Sequence, residues 1–355
     1  AHESTGMSSP DRLRYKALDQ ALGLGLIPDP VLRSASRAAT RSRTRHEERG
    51  GVEAQELRLR EMVERMSSGP VAEQVEVANE QHYELPSEFF ELFLGPRRKY
   101  SSGYWPNDAT TLEASEEEML ALTARRAGIE DGMKVLDLGC GWGSLTLWLA
   151  EHFPNCRITS VSNSATQKKT IDAEAASREL DNIEVITADV NGFEPEGRFD
   201  RIVSVEMFEH TRNWKELLRR TSTWLEPGGR LFIHIFTHRT LAYRFAGTWA
   251  SERFFTAGTM PSHDLILNFA DDMVVQERWA LSGHHYAKTL AAWLERLDGN
   301  REAALAVLRR HAGSRAAAKR VLGTWRLFLI STEQVWAFND GNDWMVSHYL
   351  LEPRG

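Results

Sequence analysis

A chain of 355 residues, 42% apolar and 26% charged, can bury a large core, and none of its apolar runs approaches the roughly 18 consecutive residues of a membrane span. The net charge of −7 argues against nucleic acid as the main partner and favours cationic ligands, because holding phosphates needs concentrated positive surface. The two cysteines, Cys140 and Cys156, supply neither a disulfide framework nor a Cys-rich metal site; with no secretory pattern in view, the expectation is a cytoplasmic protein without stable membrane insertion.

From about Asp11 to Glu80 the chain reads as helical, with Leu57, Leu59, Met62, Val63 and Met66 at helical spacing and a break at Ser67-Ser68-Gly69-Pro70. Six arginines between Arg33 and Arg49 read first as a solvated helix face and second as a contact for an anionic surface. The next stretch, QHYELPSEFFELFLGPRRKYSSGYWP, is too irregular for one helix and too rich in rings for a linker, so a cover over a site is expected. Between Met133 and Phe236 apolar runs (KVLDLG, RITSVS, IEVITAD, FDRIVSVEMF and, after the turn Pro227-Gly228-Gly229, RLFIHIF) alternate with helical patterns, which predicts an α/β doubly wound, mostly parallel sheet. Beyond Phe236 the pattern is mainly helical until WMVSHYLL, a candidate strand for the sheet edge. The expected division is a helical cap over 7–115, a Rossmann-like core over 116–236 and a helical cover with the final strand over 237–355.

In DLGCGWGS the first strand runs into a glycine turn that opens a helix, so backbone can approach a nucleoside at the carboxyl ends of the strands. The G-x-G-x-G spacing departs from the G-x-G-x-x-G dinucleotide fingerprint, in which a pyrophosphate sits on a helix N-terminus. S-adenosylmethionine carries no phosphate but a sulfonium and an α-amino group, so an acid at Asp137 before the glycines suits it. A tight turn without ligand is the alternative. No acid stands about 20 residues on; Asn163 and Gln167 are placed for the ribose, and Asp189 either accepts from the adenine amino group or caps the next helix.

Together, YELPSEFFELFLGPRRKYSSGYWP, VLDLGCGWGSLTLWLAEHFPNCRITSVSNSATQ, FDRIVSVEMFEH and ERFFTAGTMPSHD resemble the cyclopropane fatty acid synthase superfamily of S-adenosylmethionine-dependent methyltransferases, and within it the coclaurine N-methyltransferase branch. The likeness runs from about Asn79 to Leu350. It implies a class I methyltransferase fold, S-adenosyl-L-methionine as cofactor with S-adenosyl-L-homocysteine as product, and cofactor contacts from Tyr100, Ser101, Gly139, Gly141, Asn163, Gln167, Asp189 and Val190. Lipid-cyclopropanating members have glycine before their MFEH motif, where this chain has Glu206. They also hold a bicarbonate, and Cys140, Glu209 and His234 fill only part of that set: Leu294 replaces a tyrosine and Phe236 an isoleucine.

Methyl transfer from a sulfonium needs a lone pair held about 3 Å from the methyl carbon, and an amine with a pKa near 10 has none until it loses a proton. After the strand RIVSV a helical turn would gather Glu206, Glu209 and His210 on one face. His210 with Glu209 is expected to take the proton, and Glu206 with Glu84 to grip the cation. A buried structural pair is the alternative for Glu209 and His210. Tyr83, His234, Phe254, Phe255 and Trp344, with Phe89, Phe90, Tyr104 and Trp105, are expected around the substrate, each ring also being a candidate for core. No metal is expected, since the 12 histidines show no zinc signature. The expectation is N-methylation of a small aromatic or cyclic amine, with lipid methylation or cyclopropanation second; a homodimer is allowed, and the amine itself is not specified.

Overall fold

The computed structural model describes residues 9–73, 85–106, 111–245, 249–254 and 258–355. Three helices open the chain: α1 (Ser9–Gly23), α2 (Asp29–Glu47) and α3 (Gly51–Arg65). Proline in its first positions and Asp29 in its first turn start α2, and Arg45 and His46 complement the dipole at its other end. A short helix α4 (Ser87–Glu91) then turns Phe89 and Phe90 into the core. Helix α5 (Leu112–Ala127) begins where the Thr111 hydroxyl accepts from the Ala114 N–H and ends at Gly128, whose φ of 65° closes the helix left-handed.

Seven strands follow in the spatial order β3-β2-β1-β4-β5-β9-β8. They are β1 (Lys134–Leu138), β2 (Arg157–Ser162), β3 (Ile183–Thr187), β4 (Phe199–Val205), β5 (Leu225–His238), β8 (Met273–Leu281) and β9 (Trp344–Pro353). A small separate pair is formed by β6 (Tyr243–Arg244) and β7 (Thr259–Met260). Strands β1 to β5 pair in parallel, and β9 pairs antiparallel with both β5 and β8. Helices α6 (Ser144–His152), α7 (Ala165–Ser177) and α8 (Trp214–Thr223) make the crossovers, so the central strands are covered on both faces, which is why KVLDL and RIVSV are apolar runs rather than alternations. The fold is the doubly wound, mostly parallel sheet with flanking helices that the alternation predicts.

Two features differ from the sequence reading. WMVSHYLL is not at the edge: it becomes β9, and β8 lies outside it. Glu277 and Arg278 in the middle of β8 hide that strand from an apolar count; charge on an outer strand blunts edge-to-edge pairing, so the polarity belongs to its position. Pro227-Gly228-Gly229 is a bulge inside β5 rather than a turn before it, because the register with β4 jumps from Phe199–Leu225 to Arg201–Arg230.

The C-terminal part supplies α9 (Trp249–Arg253), α10 (Gly283–Gly299), α11 (Arg301–Ala312) and α12 (Arg315–Trp336). Trp325 of α12 is ringed by Phe89, Phe90, Phe93, Phe254 and Phe328 at centroid distances of 5.4–5.7 Å, mostly edge-on, which joins the aromatic stretch to the C-terminal helices. Helices α1 and α2 lie on α12. Arg326 donates to Asp29 (2.8 Å), Arg33 pairs with Glu333, and Arg37 donates to Gln334 (2.6 Å). Part of the arginine-rich face is thus committed to α12 rather than solvated.

The approach of α1 to α12 depends on Gly323, where a Cβ would stand 2.8 Å from the Leu22 carbonyl oxygen. Overpacking a contact of this kind costs about 1–3 kcal/mol. Gly323→Val is therefore expected to lower the thermal midpoint by several degrees, read by calorimetry; an unchanged midpoint would show that α1 is not held against α12.

Candidate active site

The glycine turn after β1 is pinned to β2, since the N–H groups of Gly139 and Cys140 both donate to the Val161 carbonyl (3.0 and 2.9 Å). Gly139, Gly141 and Gly143 all have positive φ. At Gly139 and Gly143 a Cβ would strike Met207 and Ile171, whereas at Gly141 it would meet nothing within 4 Å, so this glycine opens onto free space. Asp137 is buried and accepts from the Thr146 hydroxyl (2.7 Å); burial pushes its carboxyl up to about 6 against that hydrogen bond. At the end of β2, Ser162 donates to Gln167 Oε1 (2.6 Å), leaving the buried Gln167 Nε2 without a partner among the described residues, beside an exposed Asn163. At the end of β3, the exposed Asp189 accepts from the Asn191 N–H (2.8 Å), and the Val190 carbonyl accepts from Arg220.

These groups share the carboxyl ends of β1, β2 and β3, beside the point where the strand order reverses between β1 and β4. They fit S-adenosylmethionine: an open glycine, an orphaned amide donor, flanking polar side chains, a buried acid, and no Lys or Arg between Asp137 and Ser144 to balance a pyrophosphate.

Glu206 follows β4 with φ of 50°, a left-handed conformation that a residue with a Cβ holds only where its surroundings impose it, at a cost of about 1–3 kcal/mol. Its N–H donates to the His234 carbonyl (2.8 Å). Its carboxylate receives the Tyr286 hydroxyl (2.7 Å), His234 Nε2–H (3.3 Å) and the Ser102 N–H (3.4 Å). Glycine adopts that φ freely; here a residue bearing a carboxylate holds it. Tyr286 lies two helical turns before Leu294 on the same face of α10, so a hydroxyl still reaches the site from this helix despite the leucine.

The chain then makes one 3-10 turn, Phe208–His210, which sets Glu209 and His210 beside Glu206. Glu209 is 1% exposed, and neither of its oxygens has a hydrogen-bond partner among the described residues. Burial first and the neighbouring Glu206 second raise its carboxyl well above the usual range. Burial also raises Glu206, but Lys99, Tyr286 and Ser102 pull it down, so the proton of the pair belongs on Glu209. His210 is held neutral: burial lowers it to about 4, against the pull of Glu206.

Lys99 carries no motif signal. It is buried, donates to Ser101 Oγ and to the Ser102 carbonyl (2.9 Å), and so braces the Tyr100–Ser102 segment behind Glu206. Burial lowers its ammonium to about 8, while Glu206 and Glu116 hold it charged.

Glu206, Glu209 and His210 form the polar end of a cavity of about 440 Å³, inside the usual range for small-molecule sites. Its other walls are mostly rings and aliphatic groups, Tyr100, Phe236, Tyr286, Trp293, Trp336 and Trp344 from the body and Leu32, Ala35 and Ala39 from α2, with the polar Ser36 and Thr40 and the cationic Arg43 also contributed by α2. The α2 residues follow the i, i+3, i+4 spacing of one helix face, so the helix whose Arg33 and Arg37 reach α12 turns a different face, with four small side chains between Leu32 and Arg43, to the cavity. Trp344 stands in the wall. Phe254 and His234 do not line this cavity. Phe254 is stacked on Phe328 at 4.1 Å within the aromatic core, and His234 lies one layer behind, with Glu206 between it and the space. Tyr104 and Trp105 face His285 and Thr289 of α10 instead. Tyr83, Glu84 and Phe255 lie outside the described residues.

Four similarities bear on this site. The family described as mycolic acid cyclopropane synthetase matches residues 72–342. The chain is 36% identical over 353 residues to an (S)-coclaurine N-methyltransferase of Thalictrum flavum subsp. glaucum, covering 98% of each chain, and 35% identical to one of Papaver somniferum, covering 96% of this chain and all of the other. A solved coclaurine N-methyltransferase bound to N-methylheliamine and S-adenosylhomocysteine superposes with a TM-score of 0.91 at 36% identity, over 95% of this chain and 99% of the other. With a nucleoside cradle at the strand ends and a carboxylate-tipped cavity beside it, the chain belongs to the mycolic acid cyclopropane synthetase family and is an S-adenosylmethionine-dependent methyltransferase.

Proposed function

We propose that the methyl acceptor is the nitrogen of a small aromatic or cyclic, alkaloid-like amine. The observation that carries this reading is Glu209: a buried carboxyl with no donor among the described residues, at the acidic end of a cavity walled mostly by rings and aliphatic groups. Leaving it unpaired costs several kcal/mol, and a ligand N–H supplies the missing donor. The two relatives and the solved structure named above are coclaurine N-methyltransferases, which supports the same reading.

Bound S-adenosylmethionine supplies a methyl group on a cationic sulfur. Gly139, Gly141, Gln167 and Asp189 would hold it, together with Tyr100 and Ser101. The chain's own residues prepare the acceptor. Ionised Glu206 attracts the ammonium form, and the rings confine it. The arriving cation displaces the proton of Glu209 to solvent. Glu209, a strong base once ionised because of its burial, then takes a proton from the nitrogen, and neutral His210 beside it accepts a hydrogen bond that orients the amine. The nitrogen is left with a lone pair; it gains the methyl group and a positive charge together, and one proton is released per turnover.

Turnover with labelled S-adenosylmethionine against tetrahydroisoquinolines, phenethylamines, tryptamines and unsaturated phospholipids, with products identified by mass, is expected to put methyl on nitrogen. A methylene on lipid would overturn the reading. Glu206→Ala and His210→Ala are expected to lower turnover by about 10²–10⁴-fold while binding S-adenosylhomocysteine. The His210 defect should be partly relieved at high pH, where solvent deprotonates the amine; wild-type rates in both would sink the mechanism.

Calorimetry tests the cofactor cradle separately. At Gly139, φ is 88° and a Cβ would lie 2.7 Å from Met207, so Gly139→Ala is expected to weaken S-adenosylhomocysteine binding by about tenfold or more. Wild-type affinity would remove the turn from the cofactor site.

A further inference from the structure

Behind Glu206 the hydrogen bonds continue away from the cavity and through the sheet. His234 Nδ1 lies 2.9 Å from His348 Nε2, and His348 Nδ1 lies 2.8 Å from Arg126 Nη1. The two histidines face each other across the antiparallel register of β5 and β9, both about fully buried, and the Arg126 guanidinium, at the end of α5, sits 4.7 Å over the Trp279 ring of β8. The chain therefore spans helix, two strands and cavity in four groups.

We infer that Arg126, His348 and His234 form a one-directional donor chain whose purpose is to hold Glu206 as a carboxylate, which makes them positioning residues for the acidic site. The direction follows from one group. A guanidinium donates and never accepts, so His348 Nδ1 must be the acceptor of the first bond. Its Nε2 then carries the hydrogen and donates to His234 Nδ1, so His234 in turn carries its hydrogen on Nε2 and donates to Glu206 Oε1. Neither ring has an acceptor left for a second proton, and both stay neutral. The chain cannot drain protons from the site, because its far end is a group that accepts none. What it delivers is a donor aimed at Glu206 from behind, joining Tyr286 on the other oxygen.

The groups that face Glu206 are Lys99 and Tyr100 from the segment before α5, Glu209 and His210 from the 3-10 turn, Tyr286 from α10 and His234 from β5. Glu209 is the one acid among them and opposes ionisation of Glu206; Lys99 and the donors favour it. Without Arg126, His348 can reverse its tautomer, and His234 can then turn an unprotonated Nε2 toward the carboxylate. Glu206 would bind a proton more readily and lose its charge at a higher pH.

The donor chain rests on geometry, while its catalytic consequence rests on the amine reading above, so the test separates the two. In the wild-type protein with S-adenosylhomocysteine bound, long-range ¹⁵N correlation spectra at pH 7 are expected to show both His348 and His234 protonated on Nε2 alone. A hydrogen on Nδ1 of His348 would overturn the inference whatever the substrate is. In turnover on a cyclic amine, Arg126→Met is expected to move the acid limb of the kcat/KM profile upward by about one pH unit or more, with activity recovered at higher pH, and Arg126→Lys, which restores a donor, to bring the limb back toward wild type. An acid limb unmoved in Arg126→Met, or moved equally in both variants, would overturn the positioning role. If no amine is methylated, the amine reading fails, and the tautomers of the wild-type protein still decide the chain.

Discussion

A carboxylate placed at the end of a buried parallel strand has to be given partners, and much of this molecule is arranged around that requirement. Glu206 sits where β4 leaves the sheet, in a backbone conformation that glycine adopts freely and glutamate does not. Its oxygens are met from three directions: by α10 through Tyr286, by β5 through His234, and by the segment before α5 through the Ser102 N–H. These elements are scattered over nearly two hundred residues of sequence and are brought to one point by the sheet order. The strain at Glu206 is tolerated because strand, helix and segment over-determine it.

Beside it, Glu209 has the same chemistry and the opposite environment. With no donor of its own it holds a proton, whereas Glu206, met by donors and by Lys99, is the ionised member. Two carboxyl groups kept in different states by their surroundings give a site that can both attract a cation and take a proton from it. His210, neutral through burial, adds an imidazole lone pair at the same end.

The cavity gains its selectivity from what encloses it. One wall comes from α2, which presents Ala35, Ser36, Ala39 and Thr40 to the space with Leu32 and Arg43 at their ends, while Arg33 and Arg37 hold α12 and Arg43 also lies over the Tyr243 ring. One helix thus seals the site on one face and fastens the N-terminal layer on another, so a substitution in either face changes both stability and pocket shape. A volume of about 440 Å³ lined largely by rings suits a compact aromatic molecule, and on the amine reading proposed above the acidic end is where the nitrogen would sit.

Much of the fold was legible in the sequence because buried parallel strands are apolar on both faces and a glycine turn has few uses. The alternation from Met133 to Phe236, the turn at Asp137–Gly143 and the cluster Glu206, Glu209 and His210 are local patterns, readable from neighbours in the chain. What the sequence by itself determined was therefore the doubly wound core, the class of cofactor and the acidic motif. Only the tertiary structure decided which side chains meet that motif. Tyr286, His234, Lys99 and α2 come to it from far along the chain, while Phe254, which looked like a pocket ring, is consumed by the packing around Trp325. β8 escaped because an edge strand exposes its charged middle and loses the apolar signature that marks its neighbours. Periodicity reports how a segment sits against its immediate surroundings; which segments become neighbours is set by strand order and helix packing, and the partners of a buried charge are a property of that arrangement alone.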